Sequence, residues 1–405
     1  MLKVVITALL IVCASTFAET NQFRGVNWAD QRDNFVRDKL VLTGMSKTET
    51  YESASIIADR IIGQFQEVLG TNSVRIPVNE PTILEGWDAY TGIIDKGLTK
   101  GRMIICYWGP AGGAGPANMD RFWSMWKKIV ERYGDNPNAY FEVFNEPIMY
   151  SKDQIRNLYT TWLERFPNVP RNHVILDGTG FAQNIADIAD DHRFDECFFA
   201  VHIYSMWGFY TSEEKWMEVF KNQVGKYADR TICTEWGGAM SPGTKNGEYF
   251  GYQDYNKSST NYFMAYIRGT TEQLRQWKMG SFYWAGLKEG DWYSMTKKSG
   301  TGSNIQLEIV NQSGVDRMQH SWTDTVEAKS TIQEPSDDRT NIMRNNLNIA
   351  SPQKYRVFDL QGAYLGTVFA EPSQTSQQVK TLVKENGIYL IKNTQGFAKK
   401  IRITK

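Results

Sequence analysis

The sequence predicts a (β/α)8 barrel followed by a small all-β domain, and three observations predict it. Eight short β-rich runs recur through the first three quarters of the chain, amphipathic helical segments lie between most of them, and the texture changes near Ala328. Strands that alternate with helices imply a parallel sheet, because a parallel return needs a crossover long enough to hold a helix. Eight repeats make a closed barrel the natural count, with a doubly wound open sheet as the architectural alternative.

The chain opens with Met1-Leu2-Lys3, an apolar run from Val4 to Val12, and small residues ending at Thr16-Phe17-Ala18. This is the layout of a cleaved secretory signal, so residues 1–18 are assigned to one and the protein is expected to be secreted or held at the cell surface. The run is too short to span a bilayer, and no later run approaches the ~20 apolar residues that a membrane span needs. Cys13 invites a lipoprotein reading, but a small residue is wanted before it and Val12 stands there.

Residues 19–327 form the expected barrel, with strands at Phe23 to Trp28, Ser73 to Val78, Met103 to Trp108, Tyr140 to Phe144, His173 to Leu176, Phe198 to Tyr204, Thr231 to Glu235 and Ser281 to Trp284. Phe122, Trp126, Ile129, Val130 and Tyr133 make a helical stripe between a capping Asn118 and a terminating Gly134. Ser151 with Gln154, and Thr211 with Glu214, read as capping boxes ahead of two further apolar stripes. A polar linker follows at 328–346, and residues 347–405 form a small β-sandwich-like domain with strands expected at Tyr355 to Leu360, Tyr364 to Phe369, Gly387 to Ile391 and Ile401 to Ile403.

Composition narrows the function. Lys plus Arg total 45 and so do Asp plus Glu, so no global field recruits nucleic acid or a membrane. Thirteen Trp stand with 20 Tyr and 20 Phe; a core absorbs many of these rings, and an excess of Trp also fits stacking platforms for sugar rings. Cys106, Cys197 and Cys233 are an odd, widely spaced set, which reads as buried small residues rather than a disulfide framework. His173, His192, His202 and His320 are scattered singly, so no metal or other cofactor is expected, and the chain is expected to act as a monomer.

In a parallel barrel the reactive groups stand where strands end and loops begin at the C-terminal face. Strand four runs out through Phe144-Asn145-Glu146-Pro147 and strand seven through Thr234-Glu235-Trp236-Gly237. Retaining hydrolysis of a glycoside needs two carboxyl groups ~5–5.5 Å apart, one a nucleophile and one an acid then a base. Ends of near-opposite strands can supply such a pair. Asn145-Glu146-Pro147 has a second copy at Asn79-Glu80-Pro81; Glu146 is preferred because it terminates a strand, whereas Pro77 is expected to have ended the strand before Glu80.

From Gln22 to about His320 the chain resembles glycoside hydrolase family 5, the cellulase-like group of the large retaining barrel clan. The resemblance rests on Arg75 in Val-Arg-Ile-Pro, Phe144-Asn145-Glu146-Pro147, His202-Ile-Tyr204, Glu235-Trp236-Gly237 and Trp284. It implies Glu146 as acid/base and Glu235 as nucleophile, Asn145 on a sugar 2-hydroxyl, Arg75 and Tyr204 steadying Glu235, and His202 touching the acid/base. Trp284, Trp108 and Trp236 join the expected substrate-binding set. Alternatives stay open: Trp284 as barrel core, His202 as a structural histidine, Arg75 paired with Glu142. One departure stands out, since the family usually carries Asp-x-His where this chain has Cys106-Tyr107-Trp108, which leaves the polysaccharide substrate open. Gly112, Gly113 and Gly115 lack the Gly-Lys-Ser/Thr of a phosphate loop and read as cleft rim.

The tail resembles the sorting domain of the Bacteroidetes-type secretion route, through Tyr355 to Gly362, Gly387-Ile-Tyr389-Leu and a Lys-rich end, which implies the secretion machinery as a partner. A carbohydrate-binding module is the competing reading of the tail. A non-catalytic glycan-binding barrel and a transglycosylase are the competing readings of the whole; the first loses weight because both glutamates and their supporting side chains are present.

Overall fold

The computed structural model describes residues 22–109, 115–245, 248–323, 353–358, 364–370, 375–383, 387–393 and 398–403. The expected signal segment with Cys13, the linker at 328–346, and Gly112 and Gly113 lie outside the described residues.

Eight strands form the barrel: β1 (Arg24–Trp28), β2 (Ser73–Val78), β3 (Arg102–Tyr107), β4 (Ala139–Glu142), β5 (Val174–Asp177), β6 (Phe198–Tyr204), β7 (Thr231–Gly237) and β8 (Ser281–Leu287). Each is parallel to the next, and β8 closes on β1 through Arg24↔Ser281, Gly25↔Phe282 and Val26↔Tyr283. Alternate residues face alternate sides of a strand. Ile104, Cys106, Tyr140, Ile175, Phe198, Ala200 and Ile232 fill the interior with Phe23 and Phe282, while the other parity packs outward under the helices. The fold predicted by periodicity is therefore the fold observed.

The helix Met119–Tyr133 starts on the Asn118 side chain, which accepts the Arg121 N–H, and ends at Gly134. It buries Phe122, Met125, Trp126, Ile129 and Tyr133, each such side chain contributing roughly 1.5–3 kcal/mol. The capping box of Ser151 and Gln154 opens Lys152–Arg165. The cap expected at Thr211 falls one residue later: Ser212 accepts the Lys215 N–H and the helix is Glu213–Val224. Both residues are good caps, and the register of the buried Trp216, Phe220 and Val224 selects between them.

Two strand-end expectations change. β2 runs through Pro77 to Val78. Val78 turns its carbonyl to Trp108 N on the β3 side, so Pro77 faces β1, whose pairing with β2 has already stopped at Asn27↔Arg75. Its missing N–H therefore breaks no bond. β4, by contrast, ends at Glu142, so Glu146 sits in the loop beyond the strand rather than at its last residue.

Toward the C terminus, Gln353–Phe358, Tyr364–Ala370, Gly387–Asn393 and Ala398–Ile403 pair antiparallel in one four-stranded sheet. The sequence reading had no helix there, and the structure has one, Thr375–Leu382. Val379 and Val383, one turn apart, pack on Tyr355, Val357 and Val368, so the sheet's apolar face is covered by a helix where a second sheet was expected. Among the described residues, no helix is long and apolar enough to cross a membrane.

Candidate active site

The C-terminal mouth of the barrel is organised by one buried cation. Arg75 on β2 is 1 % exposed and bonds Glu142 through Nε and Nη2 at 2.6 and 2.7 Å. Its Nη1 donates to Glu235 Oε1 at 2.5 Å and Asn27 Oδ1 at 2.8 Å, and Nη2 donates also to Asn145 Oδ1 at 2.7 Å, with Cys106 Sγ in contact at 3.1 Å. A planar fork with five N–H groups can serve this many acceptors from one point; an ammonium cannot. Arg75 thus takes both partners that the sequence left as alternatives.

Glu235 reaches the mouth through an irregularity. Along β6 and β7, Val201 pairs with Cys233 but His202 pairs with Glu235, so one residue of β7 is bulged at Thr234. The bulge turns both Thr234 and Glu235 toward the interior and leaves Cys233 and Trp236 outside. Tyr204 O–H donates to Glu235 Oε2 at 2.9 Å. Burial raises the Glu235 carboxyl above its ordinary range, a shift that the Arg75 guanidinium opposes without cancelling.

Glu146 is set differently. Its backbone is left-handed, φ +49°, a conformation that costs a non-glycine residue roughly 1–2 kcal/mol. Its N–H donates to Asp177 Oδ2 at 2.9 Å. Desolvation raises the Glu146 carboxyl to about 7, helped by Asp33 and Glu142 and opposed by Arg75. His202, wholly buried, stands 2.9 Å from Glu146 Oε1 through Nδ1 and 3.0 Å from Thr234 Oγ1 through Nε2. Burial lowers its pKa to about 4, so the ring is neutral. Thr234 Oγ1 also stands 3.4 Å from Glu142 Oε1.

Oxygen atoms of Glu146 and Glu235 and a nitrogen of His202 lie within 4.8 Å of one another, as do donor atoms of Glu142, Asp177 and His202. Either trio has metal-like spacing. The oxygens of Glu142 are already held by Arg75, and those of Glu235 by Arg75 and Tyr204, so a cation would have to displace the guanidinium. Beside the carboxyls, Trp108 and Trp284 stack with ring centres 5.5 Å apart and planes at 24°, and Phe35 packs on Trp108 at 4.5 Å.

A family model, cellulase (glycosyl hydrolase family 5), matches residues 38–285. The chain belongs to glycoside hydrolase family 5. It is a glycosidase, an enzyme that hydrolyses glycosidic bonds. A solved structure from Cytophaga hutchinsonii shares the fold at 15 % identity and TM-score 0.51, over 74 % of this chain and 90 % of that one. Cel5A (EG2) from Hypocrea jecorina (Trichoderma reesei) is 14 % identical with TM-score 0.49, over 73 % and 98 %. A β-mannanase from Thermomonospora fusca is 13 % identical with TM-score 0.43, over 67 % and 82 %. No curated protein matches the chain.

In this family 5 barrel, Arg75, Asn145, Glu146, His202, Tyr204 and Glu235 come together through direct bonds, and Trp108 and Trp284 form one aromatic wall beside them. Trp236 does not join them. It is fully buried in the layer between strands and helices, with its ring edge-on to Tyr283 at 5.0 Å. Glu80 is the N-terminal residue of the short helix Glu80–Glu85, buried, and bonded by Tyr107 O–H at 3.0 Å. The sequence reading missed Asn27, Thr234 and Asp177. Each is a polar residue within or at the end of an apolar strand run, and that is the signal that could have found them.

Proposed function

We propose that this glycosidase is a secreted, retaining endo-β-glycanase that cleaves a plant-type polysaccharide, with Glu235 as nucleophile and Glu146 as acid/base. One observation carries the proposal: two carboxyl groups whose oxygens stand within 4.8 Å differ in the donors they accept from. Glu235 accepts a guanidinium N–H and a phenol O–H, both of which favour its charged form. Glu146 has no donor that requires it charged, and its pKa of about 7 keeps a proton available near neutrality. Carboxyls this close suit double displacement, since direct attack by water needs them roughly 6.5–9.5 Å apart.

The steps follow from these positions. Glu235 attacks the anomeric carbon while Glu146 gives its proton to the departing glycosidic oxygen; His202 Nδ1, 2.9 Å from Glu146 Oε1, keeps that carboxyl turned to the mouth. In the second half Glu146, now charged, takes a proton from water as the water displaces Glu235. Asn145 Nδ2 is buried without a partner, which fits a donor reserved for a hydroxyl of the reacting sugar. The Trp108–Trp284 pair gives that sugar an apolar wall. Secretion rests on the N-terminal segment and on the tail's resemblance to a sorting domain.

Proton NMR of the first product tests the mechanism: a β-linked substrate should release the β anomer before mutarotation, and an initial α anomer would remove Glu235 from the nucleophile's role. Reducing-end release from a panel of β-glucans, xylans, mannans and galactans identifies the backbone.

A further inference from the structure

Four carboxyl groups crowd around Arg75 and His202, and the mechanism uses two of them. Asp177, the last residue of β5, is fully buried and plays no part in it. Its Oδ2 accepts the Glu146 N–H at 2.9 Å. Among the described residues its Oδ1 has no N–H or O–H donor in reach, although an oxygen of Asp177 lies within 4.8 Å of one of Glu142. Two buried carboxylates at such range do not both ionise; one keeps a proton. Glu142 receives two N–H bonds from Arg75 and is the charged member. A proton on Asp177 directed at Glu142 would relieve the two acids and use the oxygen that is otherwise orphaned.

We propose that Asp177 is the positioning residue for Glu146: a neutral carboxylic acid that bonds the Glu146 backbone through one oxygen and Glu142 through the other. The need for it is local. Glu146 is left-handed and precedes Pro147, two conditions that work against its backbone conformation, and its N–H has left the strand ladder. The bond to Asp177 holds that turn, and Tyr159 O–H, from the helix Lys152–Arg165, holds the Asp177 carbonyl at 3.0 Å. The groups that face Asp177 are Arg75 from β2, Cys106 from β3, Glu142 from β4, Glu146 from the following loop, His202 from β6 and Tyr159. With Arg75 spent on Glu142 and Glu235, a charged Asp177 would be an uncompensated anion beside the acid/base. Burial and the Glu142 charge push its carboxyl well above the usual range.

The proposal rests on Glu146 as acid/base, and the test separates the two. Asp177→Asn, Asp177→Ala and Glu146→Ala are made in the full chain and assayed on aryl β-glycosides graded in leaving-group acidity. Asparagine can accept the Glu146 N–H and donate to Glu142, so Asp177→Asn should keep kcat within about threefold, whereas Asp177→Ala should lose roughly 10²-fold on poor leaving groups and far less on good ones. KM should stay unchanged in both. A wild-type dependence on leaving group in Asp177→Ala, or an equal loss in Asp177→Asn, overturns the proposal. No such dependence in Glu146→Ala would instead sink the acid/base reading. If Asp177→Ala does not fold, Asp177→Ser, too short to reach the N–H, replaces it with the same expected loss.

Discussion

Tyr204→Phe removes the phenol hydrogen bond from the nucleophile while the ring keeps its place in the barrel interior. The lost O–H bond, 2.9 Å to Glu235 Oε2, is made to a charged group and is worth about 1.5–3 kcal/mol. At 1.36 kcal/mol per pKa unit, its loss raises the Glu235 pKa by roughly 1–2 units. The sign follows from which form the bond favours. The phenol donates only to the carboxylate, so without it the protonated form gains. The nucleophile must be charged, and the acid limb of kcat/KM therefore moves up by about 1–2 pH units. The alkaline limb reports Glu146, at about 7, and should stay in place. The bell narrows from the acid side alone, and kcat/KM against pH on a soluble substrate reads it. Movement of the alkaline limb with the acid limb fixed would mean that the two roles are exchanged.

Glu146→Gln should change stability as well as activity: a carboxyl lifted from 4.5 to about 7 on folding contributes stability that is present below pH 4.5 and lost as pH rises through 7, by up to about 3 kcal/mol. Melting curves at about pH 5 and pH 8 should therefore differ less in the Gln variant than in the parent. Arg75→Met leaves Glu142 and Glu235 buried without their cation and should cost about 3–5 kcal/mol in denaturant unfolding. Trp236→Phe should lower stability by roughly 1–3 kcal/mol and leave KM unchanged, because its ring lies in the outer layer. A chain ended after Thr323 should retain one cooperative transition and full turnover on a soluble substrate; loss of folding would move the domain boundary.

How much of this was legible depends on whether periodicity or geometry set the feature. The eight strands were, because β-rich runs such as Phe198 to Tyr204 are separated by helical stripes such as Phe122, Trp126 and Ile129. The pairing of Arg75 with Glu235 and of His202 with Glu146 was legible only through resemblance, since residues far apart in the chain meet there. Trp236 shows where strand reading fails. Strict alternation from Ile232 puts Thr234 and Trp236 inward and Glu235 outward; the bulge at Thr234 reverses the last two, and nothing in Thr-Glu-Trp-Gly announces a bulge. Pro77 misled for a related reason, because a proline breaks a strand only where its N–H would have had a partner, and pairing partners are not visible in one sequence. Asp177 was hidden by its run: Val-Ile-Leu-Asp reads as a strand with a polar end until Glu146 is brought beside it.

The arrangement of charge follows from counting donors. Glu142, Asp177, Glu146 and Glu235 meet around a single guanidinium, with His202 neutral. Arg75 gives two N–H bonds to Glu142, one to Glu235 and its last two to Asn27 and Asn145, which leaves none for the other two carboxyls. Those two must stay neutral or be driven apart, and the fold makes each neutrality useful. On Glu146 it is a proton to donate to the departing oxygen, from a carboxyl held in place by its contact with His202 Nδ1. On Asp177 it is a hydrogen bond toward Glu142 and a free oxygen for the Glu146 backbone. Adding a second cation to this cluster would stabilise the folded chain by pairing the remaining acids, and in doing so would lower the pKa of Glu146 and remove the proton on which cleavage depends.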